Sequence, residues 1–189
     1  IEIPLSPDGR LDFSATALDP NSILAFQLAN GETGSINTLP EQLPSDLLIS
    51  VDATASGTRI PLPPKWDSAA FDSRAWGGPG GLAILAIQNA AQWQNPLPHI
   101  SSVRRTYGTY SLPLLLASAV AIENFAEDLN ELRSFNQQIR SEIQRSLPTT
   151  LIAGELQSSM PHLISMKSST THSAMMIPFI SVLTGCAIR

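Results

Sequence analysis

The chain carries little charge. Asp, Glu, Lys and Arg make up 14% of its 189 residues, and the formal net charge is −5. That leaves no basic footprint for nucleic acid or anionic lipid. Lysine is scarcer still, with Lys65 and Lys167 the only two. A single cysteine, Cys186, excludes an internal disulfide and fits a reducing compartment, so a cytoplasmic location is expected. Long apolar runs are missing as well. The longest, Leu112 to Ile122, is interrupted by Pro113 and Ser118 and is too short to cross a bilayer. Ile1-Glu2-Ile3-Pro4-Leu5 has neither a basic leader nor an extended apolar stretch, and no signal peptide is expected. With no initiator methionine, the sequence reads as starting inside a longer frame.

Several chemical signatures are absent too. His99, His162 and His172 have no Cys, Asp or Glu partners at metal-ligand intervals. No Gly-x-Ser-x-Gly elbow and no spaced carboxylate pair stands out. Gly77-Gly78-Pro79-Gly80-Gly81 lacks the lysine and hydroxyl of a nucleotide P-loop and reads as a tight turn between strands. No catalytic residue and no metal ligand is assigned.

What is present suits a globular α/β chain. Hydrophobic residues reach 43%, enough for a real core, and 15 prolines imply many connections. Short apolar runs at Ile1–Leu5, Ile23–Leu28, Leu47–Val51, Ala69–Phe71 and Leu82–Ile87 read as strands. They are continuous rather than alternating, which suits strands covered on both faces. Asp12–Leu18 reads as a short helix. From Leu114 to Leu147, Ile122, Phe125, Leu129, Leu132, Phe135, Ile139, Ile143 and Leu147 recur at helical spacing. They predict one long amphipathic helix or a kinked pair, ended by Pro148. Leu151–Ala153 and His162–Met166 follow as further apolar runs. A helix-like run spans residues 173–183, and Ala187-Ile188 can begin a last strand.

The order of motifs resembles the class V aminotransferases, fold-type I pyridoxal-phosphate enzymes, and in particular the cysteine desulfurases. The residues that carry the resemblance are Asn30-Gly31-Glu32-Thr33-Gly34, the strand ending in Asp52-Ala53-Thr54-Ala55, and Asp72-Ser73-Arg74-Ala75-Trp76-Gly77-Gly78-Pro79. Thr106-Tyr107-Gly108-Thr109 and Gly185-Cys186-Ala187-Ile188-Arg189 complete it. The resemblance implies part of a fold-type I large domain with a mainly parallel sheet over 1–105. A long helix and a smaller α/β C-terminal domain would follow over 106–189. It also implies a homodimer, pyridoxal phosphate as cofactor and an amino acid as substrate.

Carried over residue by residue, Asp52 matches the aspartate that pairs with the cofactor's ring nitrogen. Thr109 matches a hydroxyl that reaches a phosphate across the dimer. Other positions depart from the pattern. Gly31 and Ala55 replace the two residues that bond the ring oxygen, and Asp72 stands where a phosphate-binding serine would be. Arg74 replaces a histidine, and Ala75 replaces the lysine that holds the cofactor as a Schiff base. Each candidate also has a plainer use. Asp52 suits a turn cap at a strand end, and Arg74 suits a rim arginine paired with Asp72. Trp76 and Trp93 suit packing. Cys186 falls on an apolar strand position, where a shielded, slow thiol is expected. The expected function is therefore a cysteine desulfurase-like protein that has lost its chemistry. The alternative is a working pyridoxal-phosphate desulfurase or aminotransferase.

Overall fold

The computed structural model describes residues 2–94 and 111–167. Thr109, Cys186, His99, His172 and the two C-terminal elements expected after residue 173 lie outside the described residues. So does the expected boundary between residues 105 and 106. The chain groups into two compact units. One comprises Ile1–Ala17, Ala29–Pro40 and Glu127–Arg189, the other Leu18–Leu28 and Glu41–Ala126.

The second unit is built on a mixed four-stranded sheet in the order β1-β2-β3-β4. Strands β1 (Ile23–Gln27), β2 (Leu48–Asp52) and β3 (Ser68–Asp72) run parallel, and β4 (Ala83–Ile87) returns antiparallel to β3. The geometry follows from connection length. A short link can only turn a strand back beside its neighbour, whereas parallel pairing needs a longer crossover. The β3–β4 link is the short glycine-rich stretch predicted as a turn. The two parallel crossovers, residues 28–47 and 53–67, contain no helix.

One face of this sheet is core. Leu24, Phe26, Ile49, Val51 and Ala69 are buried on it. The opposite face is open: Ile23 is 69% exposed and Leu85 54%. The expectation of strands covered on both faces is thus overturned for these residues. Side chains alternate across a strand, and apolar residues here occupy both faces while only one is packed. Two other expectations fail. Leu5 makes only an isolated bridge to Leu11 in place of a strand. Asp12 accepts the Ser14 N–H at 2.9 Å, a local turn that competes with the helix expected over 12–18.

The long apolar-periodic segment is a pair of helices, α1 (Leu112–Glu123) and α2 (Leu129–Ser146). Asn124 closes the first helix, its side-chain amide donating to the Val120 carbonyl at 2.8 Å. Asp128 then opens the second by accepting the Asn130 and Glu131 N–H groups at 2.9 and 3.2 Å. The two helices differ in kind. Helix α1 has no charge before Glu123 and leaves Leu112, Leu116 and Val120 exposed, the last at 59%. Helix α2 is amphipathic.

Within its unit, α2 holds the following segment by polar contacts. Buried Asn136 donates to the Pro161 and Leu163 carbonyls at 3.0 and 3.1 Å and accepts from Arg140 Nε at 2.7 Å. Arg140 also donates to the Ala153 and Gly154 carbonyls. That segment forms the short antiparallel pair β5 (Leu151–Ile152) and β6 (Met166–Lys167). Among the described residues, no helix is long and apolar enough to cross a membrane. Removing the Asn136 amide takes the donor from two carbonyls and one of the acceptors from Arg140 at once. Asn136→Ala is therefore expected to lower unfolding free energy by about 2 kcal/mol, as measured by urea denaturation.

Candidate functional site

Asp52, Ala55, Asp72, Arg74, Ala75 and Trp76, singled out by sequence, fall around the C-terminal ends of β2 and β3. Pairing of Asp52 with Ala70 sets the two strand ends side by side. The first, β2, ends in half-buried Asp52. Its carboxylate faces its own turn: Oδ1 accepts the Thr54 N–H at 2.9 Å and the Thr54 hydroxyl at 2.6 Å. This is the local aspartate turn that caps a strand end. Beyond it the chain curls back. Gly57 N–H donates to the Ala53 carbonyl at 2.8 Å, and Arg59 N–H to Ser56 O at 3.1 Å. Ala55 lies in this loop.

The second strand end, β3, runs into a 3-10 turn over Ser73–Trp76. Asp72 caps it, accepting the Arg74 N–H at 2.9 Å. The Arg74 guanidinium clamps the same carboxylate, with Nη2 2.6 Å from Oδ2 and Nε 3.1 Å from both oxygens. The arginine is otherwise in solvent, its side chain 73% exposed. Its rim role beside Asp72 is thus as expected. These hydrogen bonds, first from the Arg74 side chain and then from its backbone, hold the Asp72 carboxyl below its ordinary range. The same partner raises Arg74.

Trp76 packs as predicted. It is buried, and its Nε1 donates to the buried Ser118 hydroxyl at 3.1 Å. Ser73 Oγ donates to the same Ser118 Oγ at 2.9 Å. This knot fastens α1 to the turn after β3. Of the glycines there, Gly77 is needed for its backbone angle and Gly78 for space. Gly77 adopts φ +75° as it ends the turn. A Cβ on Gly78 would lie 2.2 Å from Ser73 Oγ. By contrast, Trp93 is exposed at 39%, so packing does not describe it.

Gly31 belongs to the other unit, in a turn where Asn30 Oδ1 accepts the Glu32 and Thr33 N–H groups. Lys65 Nζ donates to the Pro44 and Ser45 carbonyls at 2.6 and 2.8 Å. Lys167 sits in β6. Among the described residues, no three His, Cys, Asp or Glu side chains gather as a metal site. A polar recess along α2 is lined by Ser134, Gln137, Gln138, Ser141, Glu142 and Arg145, and its one carboxylate, Glu142, is paired with Arg145 and accepts the Ser146 hydroxyl.

Sequence reasoning missed the residues that build the floor of this region. Ser118 had a signal, being the one hydroxyl inside an apolar helical run. Gly57 and Arg59 had none, because their importance comes from a loop that only the fold brings against Ala75.

The Asp72–Arg74 pair gives a testable sign. Its carboxyl pKa is depressed in the folded state, so the pairing is present above the ordinary aspartate pKa and is lost as pH falls through the lowered value. Arg74→Ala is expected to bring the Asp72 titration back up toward the ordinary range, read by NMR of its side-chain carboxyl carbon. Stability near neutral pH should change little, because the pair is exposed.

No protein-family model matches the sequence, and no curated protein matches it by sequence. Solved structures do match by fold. A NifS-like protein superposes with a TM-score of 0.78 at 18% identity, covering 96% of this chain and 54% of its own. The NifS-like protein of Rickettsia africae gives 0.69 at 17%, covering 93% of this chain and 54% of its own. DndA of Streptomyces lividans gives 0.74 at 21%, covering 98% of this chain and 57% of its own. The chain thus spans about half the length of these proteins and has the corresponding part of their fold.

Proposed function

We propose that this protein is a degenerate relative of the cysteine desulfurases, keeping part of the fold without the cofactor chemistry. The observation that carries the reading is Ala75. In the motif of the resemblance that position supplies the amine that captures the cofactor's aldehyde, and a methyl group cannot form an imine. Removal of a substrate Cα proton needs a positioned base, and the same lysine would be that base.

The surroundings support the reading. Asp52, the candidate partner of the ring nitrogen, has one carboxylate oxygen already bonded twice by Thr54. Asp72 puts a carboxylate where a phosphate would have to sit, and like charges at that range repel. Arg74, the nearby cation, is already clamped on Asp72. Lys65 is engaged with two carbonyls. The residues present therefore do not fit a covalently held pyridoxal phosphate.

On this reading the protein is cytoplasmic and works as a homodimer or within an assembly. The uncharged exposed stripe of α1 favours association, since contiguous apolar surface is normally covered. Thr109 keeps its proposed place as a contact across such a dimer.

A second reading has an observation of its own. The chain follows the fold of NifS-like proteins over nearly its whole length, and Asp52 stands at the end of β2 as the resemblance requires. On that reading the protein is a pyridoxal-phosphate desulfurase or aminotransferase acting on an amino acid. One experiment separates the two. The protein is incubated with pyridoxal phosphate, dialysed and treated with borohydride. The degenerate reading expects no retained visible absorbance and no reduced adduct. A band that survives dialysis, and that borohydride fixes on Lys65 or Lys167, would contradict it.

A further inference from the structure

We infer that the loop after β2 is a clasp that closes over position 75, so that restoring a lysine there does not rebuild a cofactor site. The inference rests on the degenerate reading above and goes further, since it assigns the region a structural task. Three observations meet on Ala75. Gly57 adopts φ +55°, and a Cβ on it would lie 2.7 Å from the Ala75 Cβ. The loop backbone therefore occupies the space directly beside the alanine methyl. Arg59 Nη1 donates to the Ala75 carbonyl at 2.6 Å. The N–H groups of Gly77 and Gly78 already take the Arg74 and Ser73 carbonyls, so Arg59 serves the next one along. Finally, the Arg59 guanidinium lies 5.0 Å from the centre of the Phe125 ring, within cation–π range.

One arginine thus ties the β2–β3 loop, the turn after β3 and the chain just past α1. The Ser73–Ser118–Trp76 knot fastens the same turn to α1 from buried side chains. Position 75 is half-buried and held on both flanks, with Gly57 against its methyl group. A four-carbon amine would meet Gly57 or have to turn away from it. Overpacking of this kind displaces backbone rather than opening a pocket.

The test reads stability and cofactor capture separately. Ala75→Lys is expected to lower Tm by at least about 4 °C and to take no pyridoxal phosphate onto residue 75 after borohydride. Ala75→Ser, close to isosteric, is expected to stay within about 1 °C of wild type. Two cycles keep the proposal testable if the lysine variant fails to fold. Gly57→Ala should lose stability, and Ala75→Gly in the same chain should recover part of that loss by removing the opposing methyl. Arg59→Ala and Phe125→Ala should be less than additive when combined. Strict additivity in both cycles would overturn the clasp, as would a wild-type Tm in Ala75→Lys or a reduced adduct on residue 75. An adduct in the wild-type protein at Lys65 or Lys167 is a different result. It would end the degenerate reading and leave the stability cycles, and so the clasp, standing.

Discussion

Strand β2 is where the second unit is decided. It pairs in parallel with β1 on one side and β3 on the other, and buries Ile49 and Val51 completely. Two ladders fix its register, so its end is fixed as well. The Asp52 turn starts from that end, and the loop that brings Gly57 and Arg59 to Ala75 starts from the turn. Loosening β2 would free Arg59 from the Ala75 carbonyl and the close approach at Gly57 together. The candidate site therefore depends on backbone pairing more than on any charge in it.

The charged residues at the site do modest work. Asp72 and Arg74 satisfy each other at the surface, where an ion pair contributes little. Asp52 bonds its own turn. These are the uses that aspartates and arginines have at strand ends in general. The buried contacts behave differently. Ser73, Ser118 and Trp76 have no solvent to replace a lost partner, so their geometry is held by the cost of leaving one unmet. The region is firm where it is neutral and buried, and ordinary where it is charged.

Much of this was legible in the sequence. Ile23–Leu28, Leu47–Val51, Ala69–Phe71 and Leu82–Ile87 are strands within a residue or two of their expected bounds. The glycine-rich stretch is the turn it was read to be. The helical segment came out as a pair because Asn124 and Asp128 supply a stop and a start, as the kinked alternative allowed. What failed did so for identifiable reasons. Apolar runs do not say how many faces are covered, and here one face of the sheet is open. Asp12 satisfied a neighbouring N–H locally and removed the helix expected after it. Gly57 and Arg59 were invisible because sixteen or more residues of chain separate them from Ala75. Contacts of that range are set by the fold and leave no local pattern. Asp52 ends β2 and Ala75 lies in the turn after β3, and the resemblance could not say what would press against them.

On the degenerate reading, position 75 and its surroundings are packed as structure and offer no berth to pyridoxal phosphate. The most direct measurement is the phosphorus NMR spectrum of pyridoxal phosphate titrated with the wild-type protein, which senses covalent and non-covalent capture alike. An unchanged chemical shift and linewidth are expected at protein in excess over cofactor. A shifted or broadened resonance that saturates at one cofactor per chain would contradict it.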